Sequence, residues 1–241
     1  MHIDCLAVQE LKAQAGDLEG RFEQIAGLHG HFHCAQKKGY SGVGLYSRRK
    51  PTDVRIGFAN PEFDAEGRCV ELRFDRPGHA TLPRFSIISS YFPSGSSGED
   101  RQQAKFRFLD VFLPYLRQMR EEREFILVGD INIAHQPIDL KNWRSNQKNS
   151  GFLPAEREWL TRTFDDLALV DVHRMLRPRD GGEAYTWWSN RGQSWATNVG
   201  WRIDYQIATP MLAELARSVT VYKDQRFSDH APLIVDYQLA L

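Results

Sequence analysis

Asp130-Ile131-Asn132 closes the apolar run Phe125-Ile126-Leu127-Val128-Gly129. In extended chain a carboxylate and an amide two residues apart point to the same side, so both can reach one ligand. The competing reading is a strand-end turn in which the two side chains bond their own backbone. Near the C-terminus, Ser228-Asp229-His230 precedes the apolar stretch from Ala231 to Val235. It sets a carboxylate beside an imidazole, a group that titrates near neutrality and can carry a proton; read alone, it is equally a satisfied surface pair. Trp201-Arg202-Ile203-Asp204-Tyr205 places a carboxylate inside an otherwise apolar strand, where an unpaired charge is costly. Asp204 therefore needs a partner, and His230 is the candidate. Glu10 ends the apolar stretch before it, which by itself means little. Taken together, Glu10, Asp130, Asn132 and Asp229 form an all-oxygen donor set, which favours Mg²⁺ or Mn²⁺ over Zn²⁺.

These residues need strands to present them. Runs of strand type occur at 42–46, 54–58, 69–74, 85–91, 125–128, 203–208, 219–222 and 232–237, mostly bounded by Gly, Pro, Ser or Asp. Two helices stand between them. The first follows Ser96-Ser97-Gly98-Glu99, read as a capping box, and carries Phe108, Leu109, Phe112, Leu113, Leu116 and Met119 on one face. Pro114 is expected to kink it, because proline removes a backbone donor. The second runs from about Ala155 to Leu167, with Trp159, Leu160, Phe164 and Leu167 on its apolar side. Many strands and few helices along the whole length suit two sheets packed face to face with helices outside. No GxGxxG or GxxxxGK[ST] loop supports a nucleotide-binding α/β fold.

The composition narrows the classes further. With 41% hydrophobic, 26% charged and 12% aromatic residues over 241 positions, the chain is an ordinary globular protein, best read as a single domain, 1–241. No apolar run approaches the roughly 18 residues of a membrane span. The N-terminus lacks the basic and long apolar regions of a secretory signal. Three cysteines without a CxxC read as reduced thiols, which places the protein in the cytoplasm, nucleoid-associated if bacterial. Lys+Arg and Asp+Glu both number 31, so no global charge draws the chain to nucleic acid. The basic clusters at 37–38, 48–50 and 141–148 matter only if they flank chemistry.

Six motifs in order, VQELK (8–12), YFPSG (91–95), GDIN (129–132), NQKNSGF (146–152), GWRIDY (200–205) and SDHAPL (228–233), resemble the exonuclease III family of abasic-site endonucleases and 3′ exonucleases, in the endonuclease/exonuclease/phosphatase superfamily. The resemblance covers nearly the whole chain. It implies a four-layer α/β sandwich of two mainly antiparallel sheets. It also implies a Mg²⁺-dependent phosphodiesterase, Mn²⁺ serving as well, that cleaves double-stranded DNA 5′ to abasic sites and trims 3′ ends. By the same resemblance Glu10 and Asp229 hold metal, and Asp130 and Asn132 position or deprotonate the attacking water and can hold a second metal. His230 contacts the scissile phosphate and belongs to the metal environment, Asp204 orients it, and the Tyr91 phenol lies against the phosphate. Lys12, Asn146 and Asn149 match DNA contacts, and Trp187, Trp201 and Ile203 match the pocket for a flipped-out abasic sugar. Whether His230 or Asp130 is the general base stays open. Trp143, Trp159, Trp188 and Trp195 read as packing residues. The expected partner is duplex DNA and the expected state a monomer without membrane contact.

The resemblance also sets an expectation against full activity. The chain opens almost directly on what matches the family's second strand, at Ile3 to Gln9, without the first strand and its metal-site asparagine. A weak or inactive DNA-binding protein is therefore one alternative, and another phosphoesterase of the superfamily, an RNase or phosphatase, is a second.

Overall fold

The computed structural model describes residues 3–80 and 82–241; Met1, His2 and Thr81, which the single-domain expectation also spans, lie outside them. The chain divides into two compact units, one of Met1–Phe92, Tyr115–Asp130 and Ala240–Leu241, the other of Pro93–Pro114 and Ile131–Leu239.

In the first unit, β1 (Cys5–Gln9), β2 (Gln24–Ile25), β3 (Leu28–His33) and β4 (Val43–Ser47) form an antiparallel sheet in the order β1-β4-β3-β2. The strands β5 (Asp53–Ile56), β6 (Cys69–Asp75), β7 (Arg84–Tyr91) and β8 (Glu124–Asp130) are bonded in that order, antiparallel except for the parallel pair β7–β8. Short helices α1 (Ala15–Leu18) and α2 (Pro61–Asp64) connect strands. The two sets of strands pack face to face: Gln9 donates to Ser89 Oγ at 3.0 Å, and the His33 ring lies 2.9 Å from the Cys69 carbonyl. Val43, Leu45, Val70, Leu72, Ile88, Phe125 and Leu127 are buried between and around them. Each such side chain contributes about 1.5–3 kcal/mol by leaving water. The α/β class and the facing sheets are those expected from the sequence.

Expectation and structure part in detail. No run of strand type marks β3, whose LHGHFH alternates Leu28, Gly30 and Phe32 with histidines. The helix α3 (Glu99–Glu122) passes through Pro114 as one continuous element. It begins at Glu99 rather than inside a serine box, because Gly98 at φ 118° turns the chain there and its carbonyl takes the Arg101 and Gln102 amides. Ser96 instead bonds Ser94 through its hydroxyl.

Gly129 shows why the strand that delivers Asp130 must contain a glycine. Its φ is +139°, and a Cβ added there would meet the Ser90 carbonyl oxygen at 2.0 Å across the parallel pair, in which Ser90 faces Gly129 and Tyr91 faces Asp130.

The second unit holds α4 (Trp143–Asn146), α5 (Pro154–Asp165), β9 (Val170–Asp171), α6 (Val172–Leu176), β10 (Trp187–Trp188), β11 (Gly200–Trp201), β12 (Asp204–Ala208), α7 (Pro210–Ala213), β13 (Ala216–Val221) and β14 (Leu233–Tyr237). β12 pairs with β9, β10 with β11, and β13 with β14, all antiparallel. Trp159 and Trp188 are buried, and Trp143 and Trp195 pack against apolar clusters, in agreement with their reading as packing residues.

The centre of this unit is ionic. Arg202 is 1% exposed and donates from Nε to Asp139 at 2.8 Å and from Nη2 to Asp171 at 2.7 Å, with Tyr205 stacked 4.3 Å from its guanidinium. Arg174 also bonds Asp139. Burial alone would raise the Asp139 carboxyl, but the Arg202 and Arg174 charges override it and hold the group well below the usual carboxylate range.

Burial governs the thiols in the opposite sense. The Cys5 thiol is pushed up to about 12 by burial and then by the Asp4 charge, Cys69 is raised further, and Cys34 is raised by burial and Asp17. All three cysteines are free.

Two outcomes are expected. Gly129→Ala should lower the unfolding free energy in a urea melt by about 1–3 kcal/mol, the cost of a residue held in disallowed backbone space. Asp139→Asn should cost about 3–5 kcal/mol at pH 7 by leaving Arg202 short of a buried partner. A depressed carboxyl stabilises above its unfolded value, near 3.9, and loses that contribution as pH falls toward its folded value. The gap between wild type and Asp139→Asn should therefore be full at neutral pH and narrow below about pH 4 in acid titrations followed by circular dichroism.

Candidate active site

In the first unit Glu10 stands where β1 ends. It has φ 58°, and Lys12 has φ 53°, a conformation that costs a side-chain-bearing residue about 1–2 kcal/mol. The turn is held by Leu11 N donating to the Gly42 carbonyl at 3.1 Å and Lys12 N to the Ser41 carbonyl at 2.8 Å. Backbone strain of this kind persists where the surroundings over-determine it, and it concentrates at functional sites. The Lys12 ammonium lies 3.1 Å from Glu10 Oε1, both ends in solvent, so the pair contributes little to stability.

Asp130, at the end of β8, is only 5% exposed, and its carbonyl accepts from Phe92 N at 2.9 Å. Opposite it in register is Tyr91. Burial pushes the Tyr91 phenol well above its ordinary range, and the Asp130 and Glu10 charges push it further against the opposing pull of Arg68. Two carboxylates thus share the neighbourhood of one phenol. Arg68 backs that phenol: its guanidinium is 4.9 Å from the Tyr91 ring centre, and its Nη1 donates to the Tyr91 carbonyl at 3.0 Å. Its other contacts are to Tyr40 Oη at 2.8 Å and Glu66 at 2.7 Å. Sequence reasoning missed Arg68 and Tyr40, since an isolated arginine and tyrosine carry no pattern.

In the second unit the motifs GDIN and GWRIDY meet through the backbone, Ile131 N donating to the Ile203 carbonyl at 2.9 Å. Asn132 takes φ 56°, which asparagine tolerates better than most residues. The partner that Asp204 requires is His230, with Nδ1 and Oδ2 2.9 Å apart. Engaging Nδ1 fixes the ring, so that Nε2 is the nitrogen that can address a substrate. Thr186 Oγ1 accepts from Ile203 N and Asp204 N, both at 3.2 Å, and the Thr186 carbonyl accepts from Ala231 N at 2.7 Å. Asp229 accepts from Trp187 Nε1 at 3.1 Å. Trp187 bridges to His230 through the backbone and meets the Trp201 ring edge-on at 6.4 Å, next to buried Ile203. Asp204, Asp229, His230, Trp187, Trp201 and Ile203 are therefore one local assembly. Asn146 ends α4 and Asn149 follows it on the loop, where Asn149 Nδ2 donates to Asn146 Oδ1 at 2.8 Å.

A hard divalent cation fits these donors. Among the described residues no three His, Cys, Asp or Glu side chains gather into a ready-made cage. Glu10 and Asp130 lie about one phenol in the first unit and Asp229 lies beside His230 in the second, each an oxygen donor of the kind Mg²⁺ takes together with phosphate oxygens and water.

The profile of the endonuclease/exonuclease/phosphatase family matches residues 2–230. An exodeoxyribonuclease of Bacillus subtilis is 35% identical over 95% of this chain and 86% of its own length. The DNA repair nuclease APEX1 of Danio rerio is 33% identical over 95% of this chain and 72% of its own. Among solved structures, an AP endonuclease from Archaeoglobus fulgidus superposes with a TM-score of 0.84 at 26% identity, covering 98% of this chain and 89% of that one. The αL turn at Glu10, the Asp204–His230 pair and the strand ends at Asp130 are thus features of a chain that belongs to the endonuclease/exonuclease/phosphatase family.

Proposed function

We propose that the protein is a DNA-repair phosphodiesterase, hydrolysing duplex DNA 5′ to abasic sites and trimming 3′ ends with Mg²⁺. The observation that carries this reading is the 2.9 Å Asp204–His230 pair beside Asp229, Trp187 and Trp201, within a chain whose relatives are named as DNA nucleases.

Phosphodiester hydrolysis places a hydroxide equivalent on an anionic centre, so the protein must neutralise oxygens and hold the attacker in line. His230, oriented by Asp204, donates toward a phosphate oxygen through Nε2. Asp130 and Asn132 position the attacking water, whose proton passes to Asp130 or His230. Tyr91, whose phenol stays protonated because burial and two carboxylates raise it, donates a hydrogen bond to a phosphate oxygen. Glu10, at the end of β1, and Asp229, next to His230, are the residues that the family resemblance assigns to cation binding, and a bound cation would neutralise phosphate oxygens and lower the pKa of water. Trp187, Trp201 and Ile203 form the apolar wall against an extrahelical sugar, while Lys12, Asn146 and Asn149 bind backbone phosphates, which fix position without reading sequence.

A duplex carrying one abasic site should be nicked in Mg²⁺ and left intact in EDTA. Asp130→Ala and His230→Ala should each reduce the single-turnover rate by about 10²–10⁴-fold, as removal of a positioned acid or base does. Asp204→Asn should fall between these and wild type. Retention of the duplex without metal-dependent nicking would make the protein a binder and end the proposal.

A further inference from the structure

Lys105 and Glu156 are both 0% exposed in their side chains and lie 2.7 Å apart. A buried ion pair seldom stabilises more than a well-packed apolar pair of the same volume, so what it holds in place is the informative question. Each partner reaches a different segment named above. Lys105 Nζ donates to the Asn132 carbonyl at 2.7 Å. Glu156 accepts from Gly151 N at 2.7 Å and Leu153 N at 3.0 Å through Oε2, and from Gln102 Nε2 at 3.1 Å and Ser150 Oγ at 3.4 Å through Oε1. Gly151 ends the amide-rich loop, and its carbonyl accepts from Ala134 N at 2.8 Å, two residues beyond Asn132. The space is closed on both sides. A Cβ on Gly151 would meet the Asn132 carbonyl at 3.2 Å and the Trp201 ring at 3.3 Å, and one on Gly95 would meet Gln102 Oε1 at 2.0 Å and Ser150 Oγ at 2.5 Å.

We infer that Lys105 and Glu156 are a positioning pair that locks the Asn146–Gly151 loop to the left-handed turn at Asn132, so that the grip on the DNA backbone and the placing of the water-orienting amide are set by one buried contact. The inference rests on the proposed function for the roles of the two segments, but the lock itself is a property of the fold. Neither residue touches substrate. Lys105 acts through the Asn132 backbone and Glu156 through the loop amides, so the two ends fail differently. A misplaced reacting group costs turnover, whereas a loosened loop costs ground-state binding.

The test compares wild type, Lys105→Met, Lys105→Gln, Glu156→Gln and the Lys105→Met/Glu156→Gln double variant. Hydrogen exchange by mass spectrometry, read without DNA, should show faster exchange above all in residues 131–134 in the Lys105 variants, above all in residues 146–153 in Glu156→Gln, and in both segments in the double variant. On the abasic duplex, Lys105→Met should lower kcat about tenfold or more with KM within about twofold, and Glu156→Gln should raise KM about tenfold with a smaller loss of kcat. The double variant should be non-additive, as contacting residues are. Lys105→Gln, which keeps a donor toward Asn132, should recover part of kcat, and it carries the comparison if Lys105→Met does not fold. Wild-type exchange in both segments, or losses of kcat and 1/KM that merely track the folded fraction, would overturn the inference. If wild-type protein does not nick DNA, the functional reading fails while the exchange result still decides whether the lock exists.

Discussion

A guanidinium removed from water must be met on every side by acceptors, and Arg202 imposes that requirement on half of the chain. Its two carboxylates come from distant places, Asp139 from the turn after the GDIN strand and Asp171 from the short strand that pairs with β12. Satisfying one charge therefore fixes three segments at once. Trp201 and Ile203 flank this arginine directly in sequence, and Asp204 is two residues on. The orientation of Trp201 and Ile203 and of Asp204, the carboxylate partner of His230, follows from where the guanidinium is anchored.

Charges with no solvent recur as the device that places functional groups here. Arg68 supports Tyr91 from beneath its ring, and Lys105 supports Asn132 through its carbonyl. In both cases a cation that is itself held by a glutamate fixes the functional group through the main chain as well as, for Tyr91, through the ring. The unusual backbone angles at Glu10 and Asn132 fit this picture, since strain at a strand end survives only where neighbours outweigh it.

How much of this the sequence disclosed depended on whether the signal was local. The apolar run Phe125–Val128 announced a strand because a strand buried on both faces carries no polar alternation, whereas Cys69–Phe74 announced one by alternating Val70, Leu72 and Phe74 with Glu71 and Arg73. The Asp204–His230 contact was legible from the cost of leaving a carboxylate alone in an apolar strand. The strand Leu28–His33 was not, because a histidine rather than an aliphatic residue, His33, makes its buried contact with the Cys69 carbonyl, while Phe32 stays partly exposed. At Pro114 the helix continues, because Phe108, Phe112 and Leu116 secure its buried side against the loss of one hydrogen bond. Arg68, Lys105 and Glu156 were invisible, since a lone charged residue in sequence is nearly always solvated.

The three unpaired thiols have a consequence for the conditions in which such a protein works. The anionic form of sulfur is what peroxides and electrophiles attack, and its share falls tenfold with each unit by which burial lifts the group. At Cys5, lifted to about 12, roughly one molecule in 10⁵ carries the reactive anion at neutral pH. Burial thus favours the protonated thiol at all three positions, the form that such agents attack slowly.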